Sequence, residues 1–303
     1  MKKLNGVIIA LAVPVNGDYS VDKEGLRRLL EFLISSGVHG IFANGSMGAF
    51  ALLPDSFQME VIDFVVRVVD GRVPVLGGAS ETGTQRVIEK ARRIQSLDVD
   101  GLVILPPYYY FCTQRELLRF FLTAADVSSK PIFLYDNPRM TKNPIEVGSV
   151  VELAKHPNIR GLKISTDDMS KCEEVAHADI PRDEFSLFSG AERKMNLALR
   201  LGFDGIVGGL HNVIPDIAVR LFTSASHGNL AEADEIQQKI NRVHRIFEID
   251  GGWRGVEAAF KYMGIAAKAT LPPYDIPMPE EKRQEVIRIL REEGVRCPYP
   301  AIP

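Results

Sequence analysis

Between residues 7 and 224 the chain repeats one rhythm eight times: a short apolar run rich in β-branched residues, then a longer stretch with helical periodicity. The apolar runs fall at 7–13, 40–43, 73–76, 101–105, 131–135, 159–164, 185–188 and 205–207, spaced 20 to 33 residues apart, the length of a strand-plus-helix unit. Helices are expected between and after them at 23–34, 56–69, 85–95, 115–125, 147–153, 169–177, 192–201 and 213–224. The runs are continuously apolar rather than alternating, which marks strands covered on both faces and hence a parallel sheet. An open doubly wound sheet usually has five or six strands and opens on a glycine-rich turn. Here the first turn reads Val13-Pro14-Val15-Asn16-Gly17. Eight units with no Pro-, Gly- or Ser-rich linker point instead to an α/β protein of the (β/α)8 TIM-barrel class. Three further helical stretches, near 231–247, 255–263 and 280–293, form an appendage. The expected division is a barrel over 1–225 and a helical extension over 226–303, packed as one unit.

A core of the size that 303 residues allow needs neither disulfides nor metal for stability. The three cysteines, Cys112, Cys172 and Cys297, are far apart and form no Cys-x-x-Cys or Cys/His cluster, so free thiols in a reducing compartment are expected. A formal net charge of -3 argues against a nucleic-acid footprint. Met1-Lys2-Lys3-Leu4 and the apolar run behind it superficially look like a secretory leader. Pro14 and Asn16-Gly17-Asp18 follow at once, with no small-residue cleavage pattern, so a buried first strand and a cytoplasmic location are the expectation. No stretch approaches the ~18 apolar residues of a membrane span. The six histidines (His39, His156, His177, His211, His227 and His244) show no His-x-x-x-His spacing and no His/carboxylate pairing, so no metal site is expected. His211, after the eighth strand, reads first as a structural loop residue.

Chemistry in such a barrel gathers where the strands end. The sixth run reads Arg160-Gly161-Leu162-Lys163-Ile164-Ser165. A lysine between Leu162 and Ile164 in a doubly covered strand is abnormal, because an unpaired buried ammonium is costly. Desolvation favours its neutral amine, a nucleophile able to form an imine. The plainer alternative is a strand-end lysine reaching solvent or pairing with Asp136 or Glu192. The fifth run ends in Tyr135-Asp136-Asn137-Pro138, and neighbouring strands would bring the Tyr135 phenol beside Lys163, where it could carry protons. A tyrosine whose hydroxyl simply finds a partner remains the alternative. The second run leads into Asn44-Gly45-Ser46-Met47-Gly48-Ala49, where glycines bracket backbone amides that can point at a carboxylate and Ser46 adds a hydroxyl. Glycines serving only a tight turn explain it equally. Phe188-Ser189-Gly190 and Gly205-Ile206-Val207-Gly208-Gly209 invite a phosphate site, but the basic residues near them in sequence are only Arg193 and Lys194.

Gly45-Ser46-Met47-Gly48, Pro107-Tyr108-Tyr109, Tyr135-Asp136-Asn137-Pro138, Gly161-Leu162-Lys163 and Phe188-Ser189-Gly190 follow one another in a recognisable order and spacing. Over essentially its whole length the chain resembles the dihydrodipicolinate synthase / N-acetylneuraminate lyase family of class I aldolases. That resemblance implies Lys163 as the Schiff-base residue, Tyr135 as the proton-transfer tyrosine and Ser46 as the hydroxyl that contacts the substrate carboxylate or relays to that tyrosine. It places Gly190 and Val207 in the 2-oxo acid pocket, and makes Tyr109 the tyrosine that a neighbouring subunit lends. It further implies a homotetramer of tight dimers, no metal or organic cofactor, and pyruvate plus an aldehyde as the small-molecule partners.

Two departures narrow the expectation. Met47 replaces the family's second hydroxyl in the carboxylate turn, leaving its backbone amide, and Ala49 replaces an acid. Met140 stands two residues beyond Pro138, where the lysine-pathway synthases carry an arginine for the second substrate; Arg139 is one place off. The expected activity is therefore reversible aldol cleavage or condensation of a 2-oxo acid, with a sugar-derived 2-keto-3-deoxy acid as a candidate substrate. The alternatives are dihydrodipicolinate synthase itself, a dehydratase of a hydroxylated 2-oxo acid, and a non-catalytic 2-oxo-acid sensor.

Overall fold

The computed structural model describes residues 2–302; Met1 and Pro303, the outer ends of the two expected segments, lie outside the described residues. Eight parallel strands pair in chain order: β1 (Gly6–Ala10), β2 (Gly40–Ala43), β3 (Val75–Gly78), β4 (Gly101–Ile104), β5 (Ile132–Asp136), β6 (Ile159–Ile164), β7 (Ser186–Ser189) and β8 (Gly205–Gly208). β8 pairs back onto β1 and closes the barrel. Every strand residue except Arg160 is buried, the consequence of a sheet covered on both faces. Alternate residues face opposite ways. Ile8, Phe42, Leu76, Val103, Phe133 and Phe188 fill the barrel interior. Their neighbours, such as Ile9, Ile41, Ile104 and Leu134, pack under the helices.

The helices around the barrel are α1 (Lys23–Ser35), α2 (Asp55–Val69), α3 (Thr84–Gln95), α4 (Gln114–Val127), the single-turn α5 (Pro138–Thr141), α6 (Val147–Ala154), α7 (Met169–Ala176), α8 (Met195–Arg200) and α9 (Pro215–Ser226). α4 starts on a capping box, Thr113 and Glu116 each accepting from the other's backbone N–H. α5, absent from the sequence expectation, has Pro138 in its first turn, where a missing N–H costs nothing.

Three elements differ from the expectation. β1 stops at Ala10 because Ala12 turns its N–H to the Asn212 side chain (3.0 Å) instead of continuing the ladder. α8 starts at Met195 rather than 192 because Lys194 leaves the helical backbone, with φ -138°; the Glu192 carboxyl ahead of it accepts the Leu210 amide at 2.7 Å. The expected helix over 231–247 is two elements, α10 (Leu230–His244) and the single-turn α11 (Ile246–Ile249), followed by α12 (Gly252–Tyr262) and α13 (Glu280–Glu292). A Cβ on Gly255 would lie 2.1 Å from the Ile246 carbonyl oxygen, so this glycine sets how closely α12 crosses α11. The crossing carries the start of α12 over the C-terminal mouth of the barrel. Cys112, Cys172 and Cys297 are free thiols, and among the described residues no helix is long and apolar enough to cross a membrane.

Candidate active site

Tyr135 on β5 and Lys163 on β6 are register partners, and Lys163 in turn faces Phe188 on β7. Register partners on adjacent strands share a face, so both side chains enter the barrel interior. The Lys163 Nζ lies 4.1 Å from the centroid of the Tyr135 ring and 5.6 Å from that of Phe42, with the lysine only 7% exposed. Such cation–π contacts contribute roughly 0.5–2 kcal/mol and leave the nitrogen's lone pair uncommitted once it is neutral. Among the described residues no carboxylate comes within 4.0 Å of Lys163. Asp136, one of the two carboxylates that the sequence offers as a partner, follows Tyr135 directly and so faces the other way; it binds Lys171 at 2.5 Å.

The phenol of Tyr135 is buried, and burial alone pushes it up. The opposing charge of Lys163, the neighbouring Ser165 and Ser46 hydroxyls and the Asn137 amide outweigh that, and the phenol is held below its ordinary value. The Asn137 amide donates to the phenol oxygen at 3.1 Å. A tyrosine more acidic than usual, next to an amine, is suited to both giving and taking a proton. Gly190 makes this packing possible: a Cβ there would lie 2.2 Å from the Ser165 Oγ and 3.0 Å from the Lys163 Cε.

These groups form the floor of a cavity of about 840 Å³ at the C-terminal end of the barrel. Ala10, Ser46, Met47, Gly190 and Val207 line it together with Arg139, Met140, Thr166, Asp167, Glu192 and Arg193. The helical extension adds His244, Phe247, Glu248 and Trp253. The Trp253 indole donates to the Met47 carbonyl oxygen at 3.1 Å, tying the extension to the turn that holds Ser46. Met47 points its sulfur at Gly209, where a Cβ would lie 2.7 Å from it. Burial pushes the Glu192 carboxyl up, more than the Leu210 amide, the Lys163 charge and the Gly209 amide pull it down. Those two amides close the phosphate site that the glycines near β8 invite, since a carboxyl of the chain already takes them. Of the two basic residues near them in sequence, Arg193 is ion-paired with Glu248 and Lys194 donates to the Asp167 carbonyl oxygen at 2.8 Å.

The family model for the dihydrodipicolinate synthetase family matches residues 3–293. The chain belongs to this family. A 4-hydroxy-tetrahydrodipicolinate synthase of Methanoculleus marisnigri is 32% identical over 95% of this chain and 99% of its own length. A probable 2-dehydro-3-deoxy-D-pentonate aldolase of Escherichia coli K12 is 27% identical over 97% of this chain and 99% of its own. Among solved structures, YagE, a prophage protein of the same family from E. coli K12 in complex with pyruvate, superposes with a TM-score of 0.91. It is 26% identical and covers 96% of this chain and 99% of its own. The chain is a lyase of this dihydrodipicolinate synthase type.

Of the residues that the family resemblance singles out, Lys163, Tyr135, Ser46, Met47, Gly190 and Val207 meet in the one cavity. Tyr109 does not. In the single chain it is 76% exposed and packs edge-on against Tyr110, on a loop held by Asn143, whose amide donates to the Pro107 and Tyr110 carbonyls. Arg139 does line the cavity, as does its neighbour Met140. Sequence reasoning missed Ser165, Asp167, His244, Phe247 and Trp253 as cavity residues. The absence of His/carboxylate pairing is also corrected: His244 lies 3.6 Å from Glu192, a contact between segments 52 residues apart. Trp253 carried one usable signal, as the chain's single tryptophan directly after Gly251-Gly252.

Proposed function

We propose that the chain cleaves and forms a carbon–carbon bond in a 2-oxo acid through an imine on Lys163, with pyruvate as the released or captured fragment. The observation that carries this reading is the sheltered Lys163 amine against the Tyr135 phenol at the floor of the cavity. The substrate carboxylate would lie on the backbone amides and hydroxyl around Ser46. Lys163 adds to the ketone carbon, and Tyr135 protonates the carbinolamine oxygen, which leaves as water. The imine then draws the electrons of the C3–C4 bond as the C4 hydroxyl loses its proton. An aldehyde departs and an enamine remains, which takes a proton at C3; water returns to C2 and frees pyruvate and the amine.

The substrate reading that fits best is a hydroxylated, sugar-derived 2-keto-3-deoxy acid. The cavity wall beyond the lysine offers Thr166, Asp167 and Glu192, groups that bind alcohols, and the synthases' second-substrate arginine is replaced by Met140. One observation favours the synthase alternative: Arg139 lines the same cavity and supplies a cation there. The two separate by measuring pyruvate release from 2-keto-3-deoxy sugar acids beside condensation of pyruvate with aspartate semialdehyde. Cleavage well above condensation supports the sugar-acid reading; condensation without cleavage overturns it.

A further inference from the structure

Buried polar atoms in folded proteins nearly always carry a hydrogen-bond partner. His211 departs from this. Its side chain is fully buried, and neither ring nitrogen has a partner among the described residues. The tight turn Leu210–Asn212 that carries it is pinned by Asn212, whose amide donates to the Ala10 and Gly209 carbonyls at 2.8 and 2.7 Å. Burial, and then the charge of Lys163, hold the ring down at about 3, so it is neutral and presents one donor and one acceptor.

The glycine at the end of β8 shows what the ring faces. A Cβ on Gly208 would lie 2.5 Å from the Glu192 Oε1 and 3.0 Å from the His211 Nε2. Both atoms thus lie beside Gly208, no farther apart than those two distances combined, about 5.5 Å. They form no contact within 4.0 Å; the imidazole that comes so close to Glu192 is His244. Two hydrogen bonds of about 2.8 Å laid end to end through a single oxygen span such a separation. Gly208 and Glu192 line the cavity above Lys163, while the His211 ring is fully buried behind Gly208 and is not part of the lining.

We propose that Glu192 and His211 together bind one uncharged hydroxyl oxygen over Gly208, either that of a buried water or that of an alcohol group on the bound substrate. A hydroxyl both donates and accepts, which matches a carboxyl beside a neutral imidazole. An anion would meet the Glu192 carboxyl, and a cation would meet the charge of Lys163. Where the oxygen belongs to the substrate, the site rests on the aldol reading above and selects for a hydroxylated chain, because an analogue without the alcohol leaves His211 unpaired. Where it belongs to water, the site stands independently of that reading.

Crystals of the full chain, grown alone and with 2-keto-3-deoxygluconate, test this directly. The expected result is an oxygen within hydrogen-bond distance of both the Glu192 carboxyl and the His211 Nε2. A water kept in both crystals identifies the first source, and replacement by a sugar-acid hydroxyl the second. In the second case His211→Phe raises KM for 2-keto-3-deoxygluconate about tenfold with a smaller change in kcat, and His211→Gln, which keeps a donor and an acceptor, recovers part of the loss. Crystals in which both nitrogens stay unbridged, with His211→Phe melting no lower than the unsubstituted protein, overturn the proposal; if that variant does not fold, unbridged crystals suffice. Borohydride trapping of pyruvate on the same unsubstituted protein separates the two ideas: failure to trap sinks the imine chemistry and leaves a bridging water standing.

Discussion

Gly190 and Lys163 are coupled by space: a single methyl group on the glycine would sit 3.0 Å from the lysine's Cε and 2.2 Å from the Ser165 Oγ. The glycine lies on the loop after β7, yet it decides whether the amine on β6 can point at the cavity. The site is thus assembled by close approach between strand ends as much as by the residues that would react.

Gly190→Ala is expected to abolish most of the activity while leaving the fold intact. The residue faces the cavity, and the new methyl displaces the Lys163 stem and Ser165 rather than core packing. A displacement of that size at a reacting group costs about 100-fold in rate. Imine formation with pyruvate and circular dichroism, measured together, check it; unchanged imine formation would contradict the packing argument.

Ser165→Ala should move the pH–rate profile. In the native site Lys163, the Ser165 and Ser46 hydroxyls and the Asn137 amide keep the Tyr135 phenol below its ordinary value against the upward push of burial, so the limb that requires the deprotonated phenol appears at lower pH than for a free tyrosine. Removing one donor raises the phenol's pKa and shifts that limb to higher pH, with a rate loss on the order of tenfold on its low-pH side, the size of one hydrogen bond to a charged oxygen. A profile that scales down without shifting would show that Ser165 acts only on packing.

Trp253 offers an optical probe, since it is the chain's single tryptophan and lines the cavity while donating to the Met47 carbonyl. Pyruvate binding at the Ser46–Met47 turn should change the emission saturably, and Trp253→Phe should remove the signal and weaken pyruvate binding several-fold. Emission that stays flat while pyruvate is trapped on the protein would place ligand binding away from that turn.

The barrel was legible because a strand buried on both faces leaves a continuous apolar run, and eight such runs admit few topologies. Lys163 was legible as an anomaly within one of them. What stayed hidden came from long-range geometry. Asp136 stands in sequence where it could partner Lys163, but strand alternation turns it outward to Lys171. Glu192 fits the start of a helical pattern, yet it lies ahead of α8 and its carboxyl accepts from the turn after β8. His244, Phe247 and Trp253 reach the cavity only because α12 crosses α11 closely at Gly255, a crossing without a pattern in the sequence of either helix.

The most direct measurement is borohydride reduction of the protein in the presence of pyruvate, followed by peptide mass spectrometry. The expected result is one reduced pyruvate adduct per chain, on Lys163, lost in Lys163→Ala and strongly slowed in Tyr135→Phe. No adduct with pyruvate or any other 2-oxo acid, or an adduct that persists in Lys163→Ala, would contradict the account at its root.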